Sequence, residues 1–195
     1  FWDVLVAFFA WVVGLGSPTQ HAVEVICAYA PAILGALTTI PVYLIGKEVL
    51  NRNVGLLAAA VVTLLPGEFL GRSLLGHPDH HVAEVFFSTI ALLFMILALK
   101  SARQKELSFQ HFLNRDWKSI RKPLIYAVLV GVMLGIYLLT WTGGLLLVLI
   151  LFSYLVLQYI IDHLRGKSTD YLCIIGVPSF LIPLAMIVPV SSSLL

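Results

Sequence analysis

The densest group of ionisable side chains in this sequence is the motif His77-Pro-Asp-His-His81. Asp79 and His81 stand two positions apart, and they can converge on one divalent ion where the backbone between them is extended or turning. A carboxylate with an imidazole suits Mn, Fe or Zn, and Mg less readily. Two ligands do not complete a site, so we predict that this motif supplies part of a metal centre.

Other interpretations of the same neighbourhood stay open. Asp79 is suited to capping a helix, with His80 paired to Glu84 four positions later in the sequence. Arg72 can hold a phosphate or carboxylate through two hydrogen bonds, or it can neutralise Glu68, four positions before it. A helix that starts at this motif would also favour a bound anion, because its first N–H groups lack partners and its dipole is positive there.

A second metal geometry would use His77 and His81, which have the i, i+4 spacing of neighbours on a helix. Pro78 lies between them and disfavours a regular helix there. The sequence has no His-Glu-x-x-His pattern, which argues against an intramembrane zinc protease.

The composition places this chemistry in a membrane protein. Of the 195 residues, 60% are hydrophobic and 11% are charged, and the mean hydropathy is +1.00. A soluble domain has roughly 25% charged residues, so a soluble fold is excluded. The net charge of +2 and the lack of Lys/Arg blocks interleaved with aromatics argue against a nucleic-acid partner.

The apolar runs predict an all-α, polytopic helix bundle of about six spanning helices, with the lipid bilayer as its surroundings. A span needs about 20 apolar residues, and the candidate windows are 24–46, 54–71, 82–99, 123–141, 144–162 and 171–190. Prolines should kink the first and last of these. We expect residues 1–16 to form an interfacial or outer-loop helix, or else the tail of a spanning helix. Both ends look truncated, so we expect 1–195 to be a single transmembrane domain within a longer protein.

The basic residues predict the orientation, because short loops rich in Lys and Arg face the cytoplasm. We assign turns 47–53, 100–122 and 163–170 to the cytoplasm, and turns 72–81 and 141–144 to the extracytoplasmic side. The first set holds Lys47, Arg52, Lys100, Arg103, Lys105, Arg115, Lys118, Arg121, Lys122, Arg165 and Lys167, and the second holds only Arg72. Residues 100–122 also predict an interfacial helix near anionic headgroups, more a solvated segment than a docking site.

A resemblance gives these residues a context. The run AAVVTLLPGEFLGRSLLGHPDHHVAEVFF, residues 59–87, resembles the catalytic subunit of oligosaccharyltransferase, especially its archaeal branch. The Pro-Gly, Arg-Ser and Asp-His-His elements at this spacing carry the resemblance. It implies the membrane domain of a C-type glycosyltransferase, which moves an oligosaccharide from a polyprenyl (dolichyl) phosphate or diphosphate carrier to Asn in Asn-x-Ser/Thr.

The resemblance also implies roles for individual residues. Asp79 and His81 become the family's second acidic motif and bind a divalent metal, Mn or Mg, and Arg72 matches a family arginine seven positions before that Asp. Arg72, Asp79 and His81 are thus the predicted catalytic residues, and His80 and Trp141 are the predicted substrate-binding residues. Trp141 is also typical of an interfacial anchor.

The partners implied are the lipid-linked oligosaccharide donor, an acceptor polypeptide and the rest of the parent chain, including a soluble C-terminal domain. The family's first acidic motif, its later loop glutamate and its Trp-Trp-Asp-Tyr-Gly signature are not in these 195 residues. We therefore expect part of an active site rather than a complete one. Two alternatives use the same residues: a transporter or ion carrier built around Asp79 and His81, and a non-catalytic assembly subunit.

Overall fold

The computed structural model describes residues 2–76 and 79–192, and its regular elements are helices. They are α1 (Trp2–Val13), α2 (Gln20–Val49), α3 (Arg52–Leu64), α4 (Glu68–Arg72), α5 (His81–Gln104), α6 (Phe109–Leu113), α7 (Trp117–Thr140), α8 (Leu145–Leu164) and α9 (Asp170–Ser192), with a 3₁₀ turn at Thr142–Gly144. The predicted all-α membrane architecture is confirmed. His77 and Pro78, and the predictions that involve them, lie outside the described residues.

Five helices in the described ranges are long and apolar enough to cross a membrane. They are α2, α5, α7, α8 and the Asp170–Val190 part of α9. Each covers one of the predicted windows, and α2 and α9 contain the prolines that were expected inside them. α1 has 12 residues, which is too short for a span, and its position at the membrane interface stays a prediction.

The prediction of one continuous helix over 54–71 is wrong. α3 ends at Leu64, and α4 starts only at Glu68. Pro66 explains the break, because a residue before proline is driven out of the helical region, and Leu65 has φ −69° and ψ 118°. At about 1.5 Å per residue, the 13 residues of α3 are too short to cross the hydrocarbon core alone. The segment made of α3, the break and α4 runs back along α2, from Gly55 beside Gly46 to Gly76 beside Ala28. α4 is a separate short helix that carries Arg72.

The chain divides into two compact units, Phe1–Thr89 and Ile90–Leu195, and each is described by itself. In the first, α2 and α3 pack through two glycines. A Cβ atom on Gly55 would lie 2.5 Å from the Tyr43 carbonyl oxygen, and one on Gly46 would lie 2.7 Å from the Cα of Gly55. Small residues permit such close approach between membrane helices. Asn51 begins α3 by accepting a hydrogen bond from the Val54 N–H at 3.0 Å.

The segment after α4 is held against α2 at two points. A Cβ atom on Gly35 would lie 2.6 Å from the Ser73 Cβ, so glycine permits this contact. The Gly76 N–H donates to the Ala28 carbonyl at 3.0 Å, and Gly76 has a φ of +86°, which favours glycine. These contacts fix Ser73 and Gly76 against α2.

In the second unit, α7 and α9 pack along a stripe of small residues on α7, Ala127, Gly131 and Gly135. A Cβ atom on Gly131 would lie 2.8 Å from both the Pro178 carbonyl oxygen and the Ile182 Cβ. The Ser179 hydroxyl donates to the Ala127 carbonyl at 3.3 Å. The three helices α5, α8 and α9 are joined near their ends, where Arg103 Nε donates to the Tyr171 hydroxyl at 2.8 Å and that hydroxyl donates to Asp162 Oδ2 at 2.5 Å.

The segment 100–122 is more broken than the expected interfacial helix. α5 continues to Gln104, the five-residue α6 follows, and α7 begins at Trp117. Glu106 and Arg115 have positive φ angles of 48° and 52°, which interrupt the helix on each side of α6. The basic residues of this segment therefore lie on two helix ends and two tight turns.

Candidate metal and anion site

Arg72 is the centre of a chain of charged contacts in the first unit. Its Nε donates to Glu68 Oε2 at 2.7 Å, and its Nη1 donates to Asp79 Oδ2 at 2.6 Å. The contact with Glu68 follows from helix geometry, because residues four apart lie on the same face. The contact with Asp79 depends on the loop that returns the chain over α2. Arg72 therefore holds the Asp79 carboxylate in one orientation, in addition to neutralising Glu68.

The two histidines lie beside the same carboxylate. His80 Nδ1 is 3.1 Å from Asp79 Oδ1, and His81 Nε2 is 3.8 Å from Asp79 Oδ2. One ligand atom from each of the three residues lies within 4.8 Å of the others. The side chains are 23%, 40% and 37% exposed for Asp79, His80 and His81, so the group is half-buried and open to an ion. A carboxylate with two imidazoles is a donor set for a divalent transition metal.

Glu84 lies on the other side of both imidazoles. Its Oε1 is 3.0 Å from His80 Nε2 and 3.0 Å from His81 Nδ1. This oxygen is buried and has no hydrogen bond of good geometry, although both nitrogens are near. Each ring thus presents one nitrogen to Asp79 and the other to Glu84. Histidines that bind metals commonly donate their second N–H to a carboxylate, so the donor set and the orphaned Glu84 oxygen fit a bound metal.

The helix-capping interpretation is also partly present. The Asp79 carboxylate accepts a hydrogen bond from the backbone N–H of His81, the first residue of α5. The expected pairing of His80 with Glu84 is found at 3.0 Å. These contacts order the motif at the start of α5.

The charged contacts shift the pKa values of the acidic groups. Burial raises the pKa of Asp79, but the hydrogen bonds from Arg72 and from the His81 backbone help to outweigh it, so the pKa lies below its ordinary value. The hydrogen bond from Arg72 is also the largest cause of a lowered pKa for Glu68. The pKa of Arg72 is raised, first by Glu68 and then by Asp79. All three groups are therefore charged near neutral pH.

A cavity of about 360 Å³ lies beside this cluster and is lined by Gly67, Glu68, Gly71 and Arg72. A Cβ atom on Gly67 or Gly71 would meet no atom within 4 Å, so these glycines leave open space beside the guanidinium. Arg72 is 38% exposed and keeps donors beyond the two that its acidic neighbours occupy. This end of α4 can receive an anionic group such as a phosphate.

Trp141, the remaining predicted site residue, belongs to the second unit. It follows α7, and its ring packs edge-on against Tyr137 with centroids 6.3 Å apart. The structure brings Arg72, Asp79, His80 and His81 together and gives Trp141 a packing role beside the 3₁₀ turn. His80, a predicted substrate-binding residue, lies among the possible metal ligands. Glu84, predicted only as a partner of His80, also contacts His81, and its i, i+3 spacing from His81 is the sequence signal for this second contact.

Comparisons with known proteins place these residues in a family context. The model of the family "Oligosaccharyl transferase STT3, N-terminal" matches residues 5–194. A dolichyl-monophosphooligosaccharide–protein glycotransferase, AglB of Haloferax volcanii, is 42% identical over 97% of this chain, which covers 18% of that protein. Dolichyl-phosphooligosaccharide–protein glycotransferase 3 of Archaeoglobus fulgidus is 29% identical over 87% of this chain and 18% of its own length.

Solved structures agree in fold. The archaeal oligosaccharyltransferase AglB from Archaeoglobus fulgidus, in complex with an inhibitory peptide and a dolichol-phosphate, has a TM-score of 0.79 and 26% identity, over 96% of this chain and 21% of that one. A crystal structure of an Archaeoglobus fulgidus oligosaccharyltransferase in complex with Zn and sulfate has a TM-score of 0.71 and 25% identity, over 96% and 22%. The chain thus spans about a fifth of the length of the proteins that it matches.

Proposed function

Because this chain belongs to the oligosaccharyl transferase STT3 family, as the resemblance predicted, we propose that it forms part of the active site of a metal-dependent membrane glycosyltransferase. The parent protein transfers an oligosaccharide from a polyprenyl (dolichyl) phosphate or diphosphate carrier to the Asn side chain of Asn-x-Ser/Thr. Five apolar helices in the described residues make the chain part of a multi-pass membrane protein, which suits a lipid-linked donor.

The observation that carries this proposal is the convergence of Arg72, Asp79, His80 and His81. A guanidinium lies 2.6 Å from a carboxylate, and that carboxylate shares a group of possible metal ligands with two imidazoles. Transfer from a phosphate carrier needs positive charge beside the leaving phosphate, because negative charge grows there as the bond to the sugar breaks. The Arg72 guanidinium supplies one positive charge directly, and the carboxylate and the two imidazoles are ligands for a metal cation that would supply a second.

The residues divide this work between them. Asp79, His80 and His81 would hold the divalent ion, Mn or Mg, which when bound acts as a Lewis acid toward the phosphate. Arg72 orients the Asp79 carboxylate and presents its remaining donors to the cavity beside α4. Glu84 orients both imidazoles from the buried side. The groups that engage the amide of the acceptor peptide are assigned to parts of the parent protein outside this chain.

The groups bound in two related structures support this assignment. One of those proteins is in complex with an inhibitory peptide and a dolichol-phosphate, and the other with Zn and sulfate. We infer a lipid-linked donor, a peptide acceptor and a metal for this protein on the same basis. The cation-poor turns 72–81 and 141–144 then face the extracytoplasmic side, and 47–53, 100–122 and 163–170 face the cytoplasm.

The decisive experiment is glycan transfer to an Asn-x-Ser/Thr peptide by the full-length parent protein carrying Asp79→Asn. We expect at least a hundredfold loss of transfer, because a neutral amide neither balances Arg72 nor binds a divalent ion well. Asp3→Asn is the matched control, since Asp3 is an exposed residue of α1, and it should leave transfer unchanged. Unchanged transfer by correctly inserted Asp79→Asn protein would reject the proposal.

A further inference from the structure

The second unit contains a cavity that the proposed transfer reaction does not use. It has a volume of about 600 Å³ and lies where α5 ends and α7 begins. The residues around it are four cations, two aromatics and one aliphatic residue: Lys105, Lys118, Arg121, Lys122, Trp117, Tyr126 and Ile125. All the charged side chains among them are positive, so the cavity is suited to an anion.

Two of the four cations contact neighbouring groups. Lys105 is half-buried, and its ammonium group donates to the backbone carbonyl of Lys118. The Lys122 ammonium lies over the ring of Tyr126, 6.0 Å from its centroid, in the range of a cation–π contact. Lys118, Arg121 and Lys122 are exposed. This arrangement gathers four positive charges around one concave surface.

The two acidic residues that adjoin lining residues in the sequence, Glu106 and Asp116, do not line this cavity. Asp116 directly precedes α7 but does not line the cavity. The Ser119 hydroxyl is the largest cause of the lowered pKa of its carboxyl group, and its backbone carbonyl accepts from the Ser119 N–H at 3.2 Å. Asp116 therefore serves the start of the helix, and the charge of the cavity is left for a ligand.

The cavity also has an apolar side that a soluble anion would not require. Trp117 is 65% exposed and Ile125 is 46% exposed, and both belong to α7, one of the helices suited to spanning a membrane. Val128, also exposed, extends this apolar surface toward the middle of α7. Cations at the end of a spanning helix beside exposed aromatic and aliphatic residues match the two parts of a phospholipid at a membrane surface.

We propose that this cavity binds an anionic phospholipid, with its phosphate on Lys118, Arg121 and Lys122 and an acyl chain along Ile125. The ligand is a lipid of the surrounding leaflet rather than the lipid-linked sugar donor or a free phosphate. None of the residues that line this cavity belongs to the cluster around Asp79 and His81. A negative result for lipid binding would therefore leave the proposed transferase function untouched.

The test measures lipid retained by the full-length parent protein, reconstituted in nanodiscs of phosphatidylcholine with a minority of phosphatidylglycerol and then released for native mass spectrometry. Wild-type protein should retain phosphatidylglycerol in preference to phosphatidylcholine, and added inorganic phosphate should not displace it. Each cation near a membrane surface contributes about fivefold to anionic-lipid affinity, so Lys118→Gln with Lys122→Gln should reduce retention roughly 30-fold.

The matched control is Arg165→Gln with Lys167→Gln, which removes the same charge from two exposed residues of the turn between α8 and α9. It should retain the lipid as the wild type does. Equal losses in both double variants would overturn the proposal in favour of diffuse charge. Displacement by inorganic phosphate would overturn it in favour of a free-anion site, and a wild type without preference for phosphatidylglycerol would overturn it outright.

Discussion

Arg72 Nη1 and Asp79 Oδ2 lie 2.6 Å apart, and this hydrogen bond connects the last residue of α4 to Asp79, two positions before the start of α5. It occupies one oxygen of the carboxylate and leaves Oδ1 facing His80. The same guanidinium bonds Glu68 through Nε. Arg72 is therefore fixed from two sides, and the orientation of the proposed metal ligand depends on it.

Replacing Arg72 with Lys should reduce transfer by the parent protein about tenfold or more. An ammonium group is a point charge without the planar arrangement of donors that lets Arg72 contact Glu68 and Asp79 together. A hydrogen bond to a charged group contributes about 1.5–3 kcal/mol, and losing that much stabilisation of the transition state lowers the rate by about tenfold or more. The measurement is kcat/KM for peptide glycosylation with a fixed donor concentration.

Glu68→Gln is the control for that variant. Glu68 is 86% exposed, and exposed ion pairs contribute little, so its transfer rate should stay within about threefold of wild type. If Glu68→Gln were as damaging as Arg72→Lys, the pair with Glu68 rather than the bond to Asp79 would position the guanidinium.

Glu84→Gln should weaken metal binding rather than abolish it. The Glu84 oxygen faces one nitrogen of each imidazole at 3.0 Å, and carboxylates behind metal-binding histidines typically contribute 10- to 100-fold in metal affinity or activity. The Mn concentration that gives half-maximal transfer should therefore rise by roughly tenfold or more, while transfer at saturating Mn recovers.

The control for this titration is Glu24→Gln, which neutralises an exposed residue of α2. It should leave the Mn dependence unchanged. A Glu84→Gln protein with a wild-type Mn dependence would mean that Glu84 only contributes to packing, and that the two imidazoles are oriented by other groups.

The sequence predicted the elements that depend on composition and on contacts near in the chain. Apolar runs gave five of the helices, and i, i+4 spacing gave the pairs of Arg72 with Glu68 and of His80 with Glu84. It did not predict the bond between Arg72 and Asp79, because that contact needs the loop to fold back over α2. The sequence also did not predict the break at Pro66, because the residues around it are apolar enough to suggest one long span.

Gly35→Ala should reduce transfer without changing a ligand. The added Cβ would lie 2.6 Å from the Ser73 Cβ, so the loop after Arg72 would have to move away from α2. A misplacement of about 1 Å near a reacting group can reduce the rate by about a hundredfold. Ser73→Gly removes the opposing atom, so the double variant Gly35→Ala with Ser73→Gly should regain most of the lost kcat. Failure of this rescue would show that Gly35 acts elsewhere.

Cysteine labelling tests the orientation of the chain. Cys27 and Cys173 are free cysteines and would first be replaced by Ala. Leu74→Cys, at an exposed position after α4, should react with a membrane-impermeant maleimide added outside intact cells. Ser168→Cys, at an exposed position before α9, should react only in inverted vesicles. The reverse pattern would place the Asp79 motif in the cytosol and remove the basis of the proposed reaction.

Substitutions on the small stripe of α7 should differ according to what each new atom meets. A Cβ on Gly131 would lie 2.8 Å from the Pro178 backbone oxygen, whereas the nearest atom to a Cβ on Gly135 is the Met186 sulfur at 2.5 Å. Met has three rotatable bonds and can move aside, but the α9 backbone cannot move without separating the helices. Gly131→Ala should therefore lower the free energy of unfolding by about 1–3 kcal/mol, and Gly135→Ala by less.

Thermal unfolding of the full-length protein in detergent measures this difference, with Gly71→Ala as the reference, because a Cβ there meets no atom within 4 Å. The expected order of Tm is Gly71→Ala highest, then Gly135→Ala, then Gly131→Ala. A Gly135→Ala protein less stable than Gly131→Ala would show that Met186 is held as firmly as backbone, and that α7 and α9 meet most tightly one turn further along.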